Sequence, residues 1–408
     1  MKRIMVLSRK LTSGGAERVA ANVASQLKDE NTKTWLVVFD GSDATYPCTT
    51  EMIDLKLPSQ KGMLRKTVWY IKIWKKIRNL KRELHITHTI SFLNEPDLIN
   101  VLTSKQNKTI VSVRNKRSAL NKNIITKIKD QFVFKKADKV VALSTGVRDD
   151  LIDFYNVDKE KIQVIYNACE VDVIKKRASE TVDAEKLESV YIKGKTVITA
   201  GRLTEQKGQW HLIRAFKRVV QVVPDAHLLI LGQGEEKSYL EKLIGELKLE
   251  SNVFLMGYCA NPYFYLYKAD LFVFSSLYEG FGNILLEAMA CDLPIVSSDC
   301  VAGPRELLEP GTSYDMGTTD GIVEAQYGIL VPVCDGKKKG VDEELTKEEV
   351  IMADAIINML TNKKMLEKYR EKSKKRVSDF STTTIYKQWR ELLDTVPGEK
   401  YCCRFGGK

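Results

Sequence analysis

Residues 270–307 constrain the fold more than any other stretch, because they encode two short strands with a glycine turn and a helix between them. The apolar run at 271–274 predicts a buried parallel strand, and a second run follows at 294–296. The sequence EGFG at 279–282 predicts a tight turn, and good helix formers at 283–290 predict a helix. This βαβ unit favours an open parallel sheet, in which ligands bind at the carboxyl ends of the strands.

Two carboxylates belong to this unit, Glu279 before the helix and Glu287 about one turn inside it, at ~1.5 Å rise per residue. The free N–H groups of Gly282, Asn283 and Ile284 lie at the helix start, where they suit a phosphate or a polar sugar. Either acid alone would be read as an ordinary turn or surface residue. Together with the glycines, the two acids predict a ligand site.

The same alternation of strand, turn and helix recurs along the chain and predicts an α/β protein. Further apolar runs predict strands at 4–7, 35–39, 87–92, 109–113, 140–143, 162–165, 196–200, 227–231, 253–255 and 327–332. Helices are predicted to end the chain at 350–360 and from 363 to about 393. A polar connector at 175–190 divides the pattern into two halves, and 408 residues suffice for two domains.

Two other loops at strand ends carry candidate site residues. The loop at 201–208 places Arg202 and Lys207 before a helix, and two cations there suit a diphosphate, whose charge must be neutralised when it leaves. Gly14 and Gly15 follow the first strand and would let a ligand approach the backbone. That loop resembles a dinucleotide fingerprint but lacks the G-x-G-x-x-G spacing.

The net charge of +11 is concentrated in the first half, since residues 56–139 carry +16 and the rest of the chain about −5. The helix predicted at 65–82 has an apolar stripe and many Lys and Arg residues. The stripe comprises Val68, Trp69, Ile73, Ile77 and Leu80. Basic charge with tryptophan suits an anionic membrane surface, and an ordinary amphipathic helix on the sheet explains the pattern equally well. We find no nucleic-acid motif and expect no such partner.

Composition excludes several other classes. No apolar run reaches eighteen residues, so no transmembrane helix is predicted, and the N-terminus has too short an apolar core for a signal peptide. The eight cysteines lack zinc-site spacing, and most of them are expected to be reduced core thiols of a cytoplasmic protein. Cys402 and Cys403 lie on a tail that does not match a prenylation ending and receives no role.

The combined motifs resemble the retaining family 4 glycosyltransferases. The resemblance covers nearly the whole chain and is strongest at 196–332, through Gly201-Arg202-Leu203, Lys207-Gly208 and Glu279-x7-Glu287. It implies the GT-B fold, two Rossmann-like domains facing each other across a cleft. The first, 1–175, would bind the acceptor, and the second, 176–400, the nucleotide sugar, with the last helix returning to the first domain. The members most similar build bacterial surface glycans on a lipid carrier.

The resemblance implies a role for each matching residue. Arg202 and Lys207 would clamp the donor diphosphate, while Glu279 would hold the hydroxyls of the donor sugar. Glu287 would bind the ribose. The other implied donor contacts are Gly15, Gly257, Tyr258, Phe281, Gly282 and Asn283. No metal is expected. The implied reaction moves a hexose or N-acetylhexosamine from a UDP-linked donor to a lipid-linked or polysaccharide acceptor, at the inner face of the cell membrane.

One departure concerns the general base. Many relatives place a His where this chain has Arg114, and Arg cannot deprotonate a hydroxyl at neutral pH. His88 is an alternative but is expected to be structural. Front-face transfer needs no protein nucleophile, because the leaving phosphate can accept the acceptor's proton. The alternative functions are a soluble glycosyl synthase, a nucleotide-sugar epimerase or a non-catalytic sugar-nucleotide-binding protein.

Overall fold

The computed structural model describes residues 1–12, 15–44, 46, 48–120, 123–180, 194–301, 303–312 and 318–396. The chain forms two compact units, one of residues 1–167 with 383–408 and one of residues 168–382. The sequence placed the division at 175, which lies inside helix Val171–Ala178 of the second unit. Gly14 and the Cys402–Cys403 tail, both discussed above, lie outside the described residues.

The first unit contains a seven-stranded sheet in the order β3-β2-β1-β4-β5-β6-β7, and its described pairings are all parallel. The strands are β1 Lys2–Ser8, β2 Thr32–Val38, β3 Glu51–Asp54, β4 His88–Phe92, β5 Lys108–Val113, β6 Lys139–Ala142 and β7 Ile162–Val164. The predicted strands are confirmed. Strand β3 was missed, because its four residues EMID are exposed or half-buried at the sheet edge and carry no apolar run.

Helices cover both faces of this sheet, as an all-parallel sheet requires. They are α1 Gly15–Gln26, α2 Met63–Glu83, α3 Asn94–Leu102, α4 Arg117–Leu120, α5 Ile124–Lys136 and α6 Thr145–Asp153. Helix α3 contacts both α2 and α5. Trp69, Ile73 and Ile77 of α2 are buried with Trp35 of β2, so the apolar stripe packs on the sheet. The assignment of Val68 to that stripe was wrong, because its side chain is 51% exposed.

The second unit contains a seven-stranded sheet in the order β10-β9-β8-β11-β12-β14-β13, in which only β13 is antiparallel among the described pairings. The strands are β8 Lys195–Ala200, β9 Ala226–Leu231, β10 Val253–Gly257, β11 Leu271–Phe274, β12 Ile295–Ser298, β13 Val323–Glu324 and β14 Ile329–Val331. The helices are α7 Val171–Ala178, α8 Gln209–Val222, α9 Lys237–Glu246, α10 Pro262–Lys268, α11 Asn283–Ala290, α12 Pro304–Leu308, α13 Lys347–Thr361 and α14 Lys363–Val377. The order puts β8 beside β11, the two strands that lead into the predicted site loops.

The C-terminal segment is not the single helix predicted from residue 363. Helix α14 ends at Val377, a 3₁₀ turn spans Ser378–Phe380, and helix α15 spans Thr382–Thr395. The break follows from the burial of Phe380, which is 1% exposed and packs on Phe281 at 6.1 Å between ring centroids. Helix α15 belongs to the first unit, where the ring centroids of Trp389 and Phe92 lie 6.4 Å apart.

None of the helices in the described part of the chain has the length and hydropathy that a membrane crossing needs.

Candidate active site

The predicted βαβ unit forms as the sequence indicates. Strand β11 is fully buried, and helix α11 begins at Asn283 directly after Gly282. Gly282 has φ 82°, in the left-handed region that favours glycine. The turn therefore depends on glycine to bring the helix start close to the carboxyl end of β11. The first N–H groups of α11 lie at that end of the strand and are suited to an anion or a polar sugar.

A cavity of about 590 Å³ lies at the carboxyl ends of β8, β9, β10 and β11. Its size falls within the range of small-molecule sites. It is lined by Ala200, Gly201, Arg202, Gln206, Lys207, Leu231, Gly232, Gln233, Tyr258, Cys259, Pro262, Glu279, Gly282, Asn283 and Ile284. The cavity thus brings together six of the predicted site residues, namely Arg202, Lys207, Tyr258, Glu279, Gly282 and Asn283.

Lys207 and Glu279 form an ion pair in this cavity, with Lys207 Nζ 2.5 Å from Glu279 Oε1. The hydroxyl of Ser276 donates to the same carboxylate oxygen at 3.0 Å, and the ammonium lies 5.3 Å from the centroid of the Phe274 ring. Both charged side chains are mostly buried. An ammonium has three N–H donors, so the contact with Glu279 leaves Lys207 able to donate to a ligand.

Arg202 differs from Lys207 in having an exposed side chain. No partner of its guanidinium is recorded among the described residues, although Gln209 Nε2 donates to its carbonyl oxygen at 3.1 Å. A fixed backbone with an unengaged guanidinium can offer two parallel N–H donors to a phosphate. In the described part of the chain, the site therefore combines Lys207, which is held by a carboxylate, with Arg202, for which no such partner is recorded.

Gly232 lets the loops around Arg202 approach each other closely. A Cβ at Gly232 would lie 1.8 Å from the carbonyl oxygen of Gly201, and the φ of Gly232 is 144°. We expect Gly232→Ala to lower the free energy of unfolding by about 1–3 kcal/mol, because strain at a special backbone position costs that much. Denaturant unfolding measures the change. Gly245→Ala is the control: it meets only one atom, at 3.7 Å, and should cost nothing. Equal stability of the two variants would contradict the argument.

Comparison with known sequences identifies the family. Residues 184–327 match the protein family described as "Glycosyl transferases group 1", and residues 13–173 match the family described as "Glycosyltransferase Family 4". An uncharacterized glycosyltransferase of Methanocaldococcus jannaschii is 34% identical over 341 residues, which cover 79% of this chain and 82% of that protein. The chain belongs to glycosyltransferase family 4. It is therefore an enzyme of a retaining hexosyltransferase family, as the motifs indicated.

Two further proteins match this chain almost end to end. A Campylobacter jejuni protein named N-acetylgalactosamine-N,N'-diacetylbacillosaminyl-diphospho-undecaprenol 4-alpha-N-acetylgalactosaminyltransferase is 29% identical, covering 94% of this chain and 97% of that protein. The crystal structure of Anabaena Alr3699/HepE in complex with UDP matches with a TM-score of 0.73 at 19% identity, covering 97% of this chain and 100% of that one. The match confirms the GT-B fold predicted from the sequence.

Four predicted donor contacts of this family 4 enzyme do not line the cavity. Gly257 ends β10, and its carbonyl oxygen accepts from the Gly232 N–H at 2.8 Å. Phe281 is 2% exposed, and its backbone leaves room only for glycine at 303, where a Cβ would lie 2.1 Å from its carbonyl oxygen. Glu287 is half-buried in α11, and Gly15 begins α1 in the first unit. Their roles stay predictions.

Several residues that line the cavity were missed, among them Gln206, Gln233 and Cys259. Gln233 and Cys259 follow the carboxyl ends of β9 and β10, so the strand-end rule could have found them. The side chain of Gln206 donates to the carbonyl oxygen of Tyr278 at 2.9 Å and ties the two site loops together. Burial raises the pKa of the Cys259 thiol above its usual range, so the thiol is protonated at neutral pH.

His88 has the environment of a structural residue. Its Nδ1 lies 2.9 Å from Thr87 Oγ1 and its Nε2 lies 2.6 Å from the carbonyl oxygen of Val396. Burial lowers its pKa below the usual value, so the ring is neutral at pH 7. Both ring nitrogens are occupied within the first unit, which leaves neither free to accept a proton from a substrate.

Arg114 follows the carboxyl end of β5 and contacts neutral oxygens. Its guanidinium donates to the hydroxyl of Ser112 and the carbonyl oxygen of Ile165, both at 3.4 Å, and to the side-chain oxygen of Asn167. Burial lowers its pKa to about 9, which still leaves it charged at pH 7. A guanidinium that stays charged cannot accept a proton, and any contribution of Arg114 to the site stays a prediction.

Among the described residues, no group of three or more His, Cys, Asp or Glu side chains is arranged to hold a metal ion. A metal-free reaction stays a prediction.

Proposed function

We propose that the protein transfers a hexose or N-acetylhexosamine from a UDP-sugar to a lipid-linked or polysaccharide acceptor, with retention of the anomeric configuration. The observation that carries the proposal is the 590 Å³ cavity in which Arg202 and the Lys207–Glu279 pair meet the start of helix α11. Two cations beside the N-terminus of a helix suit a diphosphate. A carboxylate beside them suits the hydroxyls of a sugar.

The chemistry follows from where charge develops. When the bond between the sugar and the phosphate breaks, negative charge grows on the leaving diphosphate, and Arg202 and Lys207 lower the barrier by stabilising it. Glu279 accepts hydrogen bonds from the donor sugar and holds Lys207 in place. Tyr258 is 74% exposed and lines the same cavity, where its ring would lie along the base. Glu287 would bind the ribose.

The relatives favour this donor and acceptor. The name of the Campylobacter jejuni enzyme gives a glycan linked to diphospho-undecaprenol as its acceptor. The Anabaena protein was crystallised in complex with UDP. By analogy, the second unit would hold the nucleotide sugar and the first unit would bind the acceptor. The enzyme would work at the cytoplasmic face of the cell membrane, because lipid-linked acceptors are anchored in a bilayer.

A donor screen tests the proposal. Purified protein is mixed with UDP-, GDP- and ADP-sugars and with polyprenyl-diphosphate-linked glycans, and release of the nucleoside diphosphate is measured. We expect release of UDP that depends on the acceptor, and an α-linked product from an α-linked donor by NMR. Turnover of GDP- or ADP-sugars alone would overturn the choice of donor. Binding of UDP without any transfer would favour a non-catalytic sugar-nucleotide-binding protein.

The basic face of helix α2, within residues 65–82, is proposed to hold the enzyme at an anionic membrane. Lys66, Lys72 and Lys75 are exposed, whereas Lys76 donates to the carbonyl oxygen of Leu55 and Arg78 lies over the Trp74 ring. Each lysine near such a surface contributes about 1 kcal/mol.

Changing Lys66, Lys72 and Lys75 to Glu should therefore weaken binding to phosphatidylglycerol vesicles by at least ~100-fold. Co-sedimentation measures the effect. The matched control changes the exposed Lys217, Lys363 and Lys364 of the second unit to Glu, with the same change in net charge. Equal loss in both variants would show that net charge, not helix α2, governs binding.

A further inference from the structure

The first half of helix α5 exposes apolar side chains to solvent. Ile124, Ile125 and Ile128 are 65%, 72% and 59% exposed, while Asp130 on the same helix is fully buried. Ile124 and Ile128 are four residues apart and Ile125 and Ile128 three, so the three side chains lie on one face. A large apolar patch exposed to solvent usually marks an interaction surface.

The orientation of this helix is fixed by its buried side. Asp130 lies 3.5 Å from Nη1 of the buried Arg117, which also pairs with Asp97. Phe134 is buried one turn further on, under the Arg117 guanidinium at 5.1 Å from its ring centroid. Turning the helix to hide the isoleucines would expose Phe134 and break a buried ion pair, at a cost of several kcal/mol. The isoleucines are therefore held outward.

The first half of helix α2 shows a second exposed apolar face. Met63 and Leu64 are 87% and 84% exposed, and Val68 and Ile71 about half exposed. Leu64, Val68 and Ile71 are spaced to lie on one face of the helix. Since Trp69 and Ile73 already pack on the sheet, this face is additional to the buried stripe.

The topology places both faces at one edge of the first unit. Helices α2, α3 and α5 each lead from the carboxyl end of a parallel strand to the start of the next, so all three begin at the carboxyl edge of the sheet. Helix α3 contacts α2 and α5 and lies between them. With neighbouring helices ~8–10 Å apart, the two exposed apolar faces lie roughly 20 Å from each other.

The charge around these faces selects the partner. Helix α5 carries four lysines, at 127, 129, 135 and 136, and its single acid is the buried Asp130. The exposed isoleucines thus lie on a helix rich in lysine, within a segment, residues 56–139, whose net charge is +16. Exposed apolar side chains on a helix that also carries lysines match the acyl chains and anionic headgroups of a bilayer.

We propose that Ile124, Ile125 and Ile128 of helix α5 insert into an anionic bilayer as a second contact, beside the exposed N-terminal half of helix α2. The inference rests on the proposed action on a membrane-anchored acceptor. A single amphipathic helix leaves a protein free to rotate about its axis on the membrane. Two contacts about 20 Å apart fix the tilt of the first unit and hold the carboxyl edge of its sheet at a set height above the headgroups.

The test uses the full chain and vesicles of phosphatidylglycerol or of phosphatidylcholine. Ile125→Ser with Ile128→Ser should weaken partitioning onto phosphatidylglycerol vesicles at least ~10-fold, because burial of isoleucine is lost at two positions. Leu64→Ser with Val68→Ser should act similarly, and the combined variant should lose binding almost completely. The matched control is Val173→Ser with Val222→Ser, at two apolar residues of the second unit that are 48% and 54% exposed, and it should bind as the unchanged protein does.

Two further measurements separate the outcomes. UDP binding by calorimetry and the thermal unfolding temperature should not change in the α5 variant, so a loss of vesicle binding with both intact supports the proposal. Unchanged vesicle binding of the α5 variant would overturn it. If the unchanged protein ignores vesicles but forms dimers that this variant breaks, the face is an interface between copies and the membrane proposal falls. Absence of UDP binding in the unchanged protein would instead overturn the proposed function.

Discussion

Replacing Arg202 by alanine should lower kcat by about 100- to 1000-fold while the protein stays folded. Removal of one group that stabilises developing negative charge costs about 2.7–4 kcal/mol in other enzymes. Arg202 fits that role because it lines the donor cavity with an exposed guanidinium. The fold should persist, since no ion pair of this side chain is recorded in the described part of the chain. Transfer rates at saturating donor, with circular dichroism as the folding check, measure both effects.

The controls for Arg202 separate charge from geometry. Arg202→Lys retains the positive charge but cannot donate two parallel hydrogen bonds as a guanidinium does, so it should retain only part of the transfer activity. Arg218→Ala removes a cation of the same unit that pairs with Asp354 at the surface. An exposed pair of this kind contributes at most about 1 kcal/mol of stability, and transfer should be unaffected. If Arg202→Ala transfers sugar as fast as Arg218→Ala does, the assignment of Arg202 to the leaving group is wrong.

The strands could be predicted because strands of a parallel sheet are covered on both faces and appear as continuous apolar runs. The runs at 271–274 and 196–200 are examples, and both became buried strands. Strand β3 is exposed to half-buried and β13 has only two residues, so neither leaves such a signal. The break at Ser378–Phe380 was missed because it depends on the packing of Phe380 against Phe281, residues far apart in sequence.

The residues of the candidate site could be predicted one by one but not as a set. Arg202, Lys207 and Glu279 each follow a strand, and a βα loop in an open sheet is a usual ligand position. The ion pair of Lys207 with Glu279 could not be foreseen, because it requires that β8 and β11 be neighbours. The exposed isoleucines of α5 could not be foreseen either, since their orientation depends on the buried contact of Asp130 with Arg117.

The Lys207–Glu279 pair gives the second large effect, which separates two roles that the geometry allows for Glu279. Lys207→Met should lower kcat about 100- to 1000-fold, because it removes a cation from the leaving diphosphate, and it should also weaken the binding of UDP alone. Glu279→Gln keeps the shape of the side chain. It should lower transfer by about 100-fold, comparable to the loss of one transition-state contact, yet leave UDP binding unweakened, because UDP has no hexose for Glu279 to hold.

The double variant decides between the roles. If Glu279 only holds Lys207 in place, Glu279→Gln should have no further effect on kcat once Lys207 is methionine. If it also binds the donor sugar, the double variant should fall below Lys207→Met, with a coupling energy between the sites of about 1–3 kcal/mol. We expect the second result, because Ser276 donates to the same carboxylate oxygen that Lys207 contacts. Among the described residues no contact of the other oxygen, Oε2, is recorded, and Glu279 lines the cavity, so Oε2 can accept a hydrogen bond from a sugar hydroxyl.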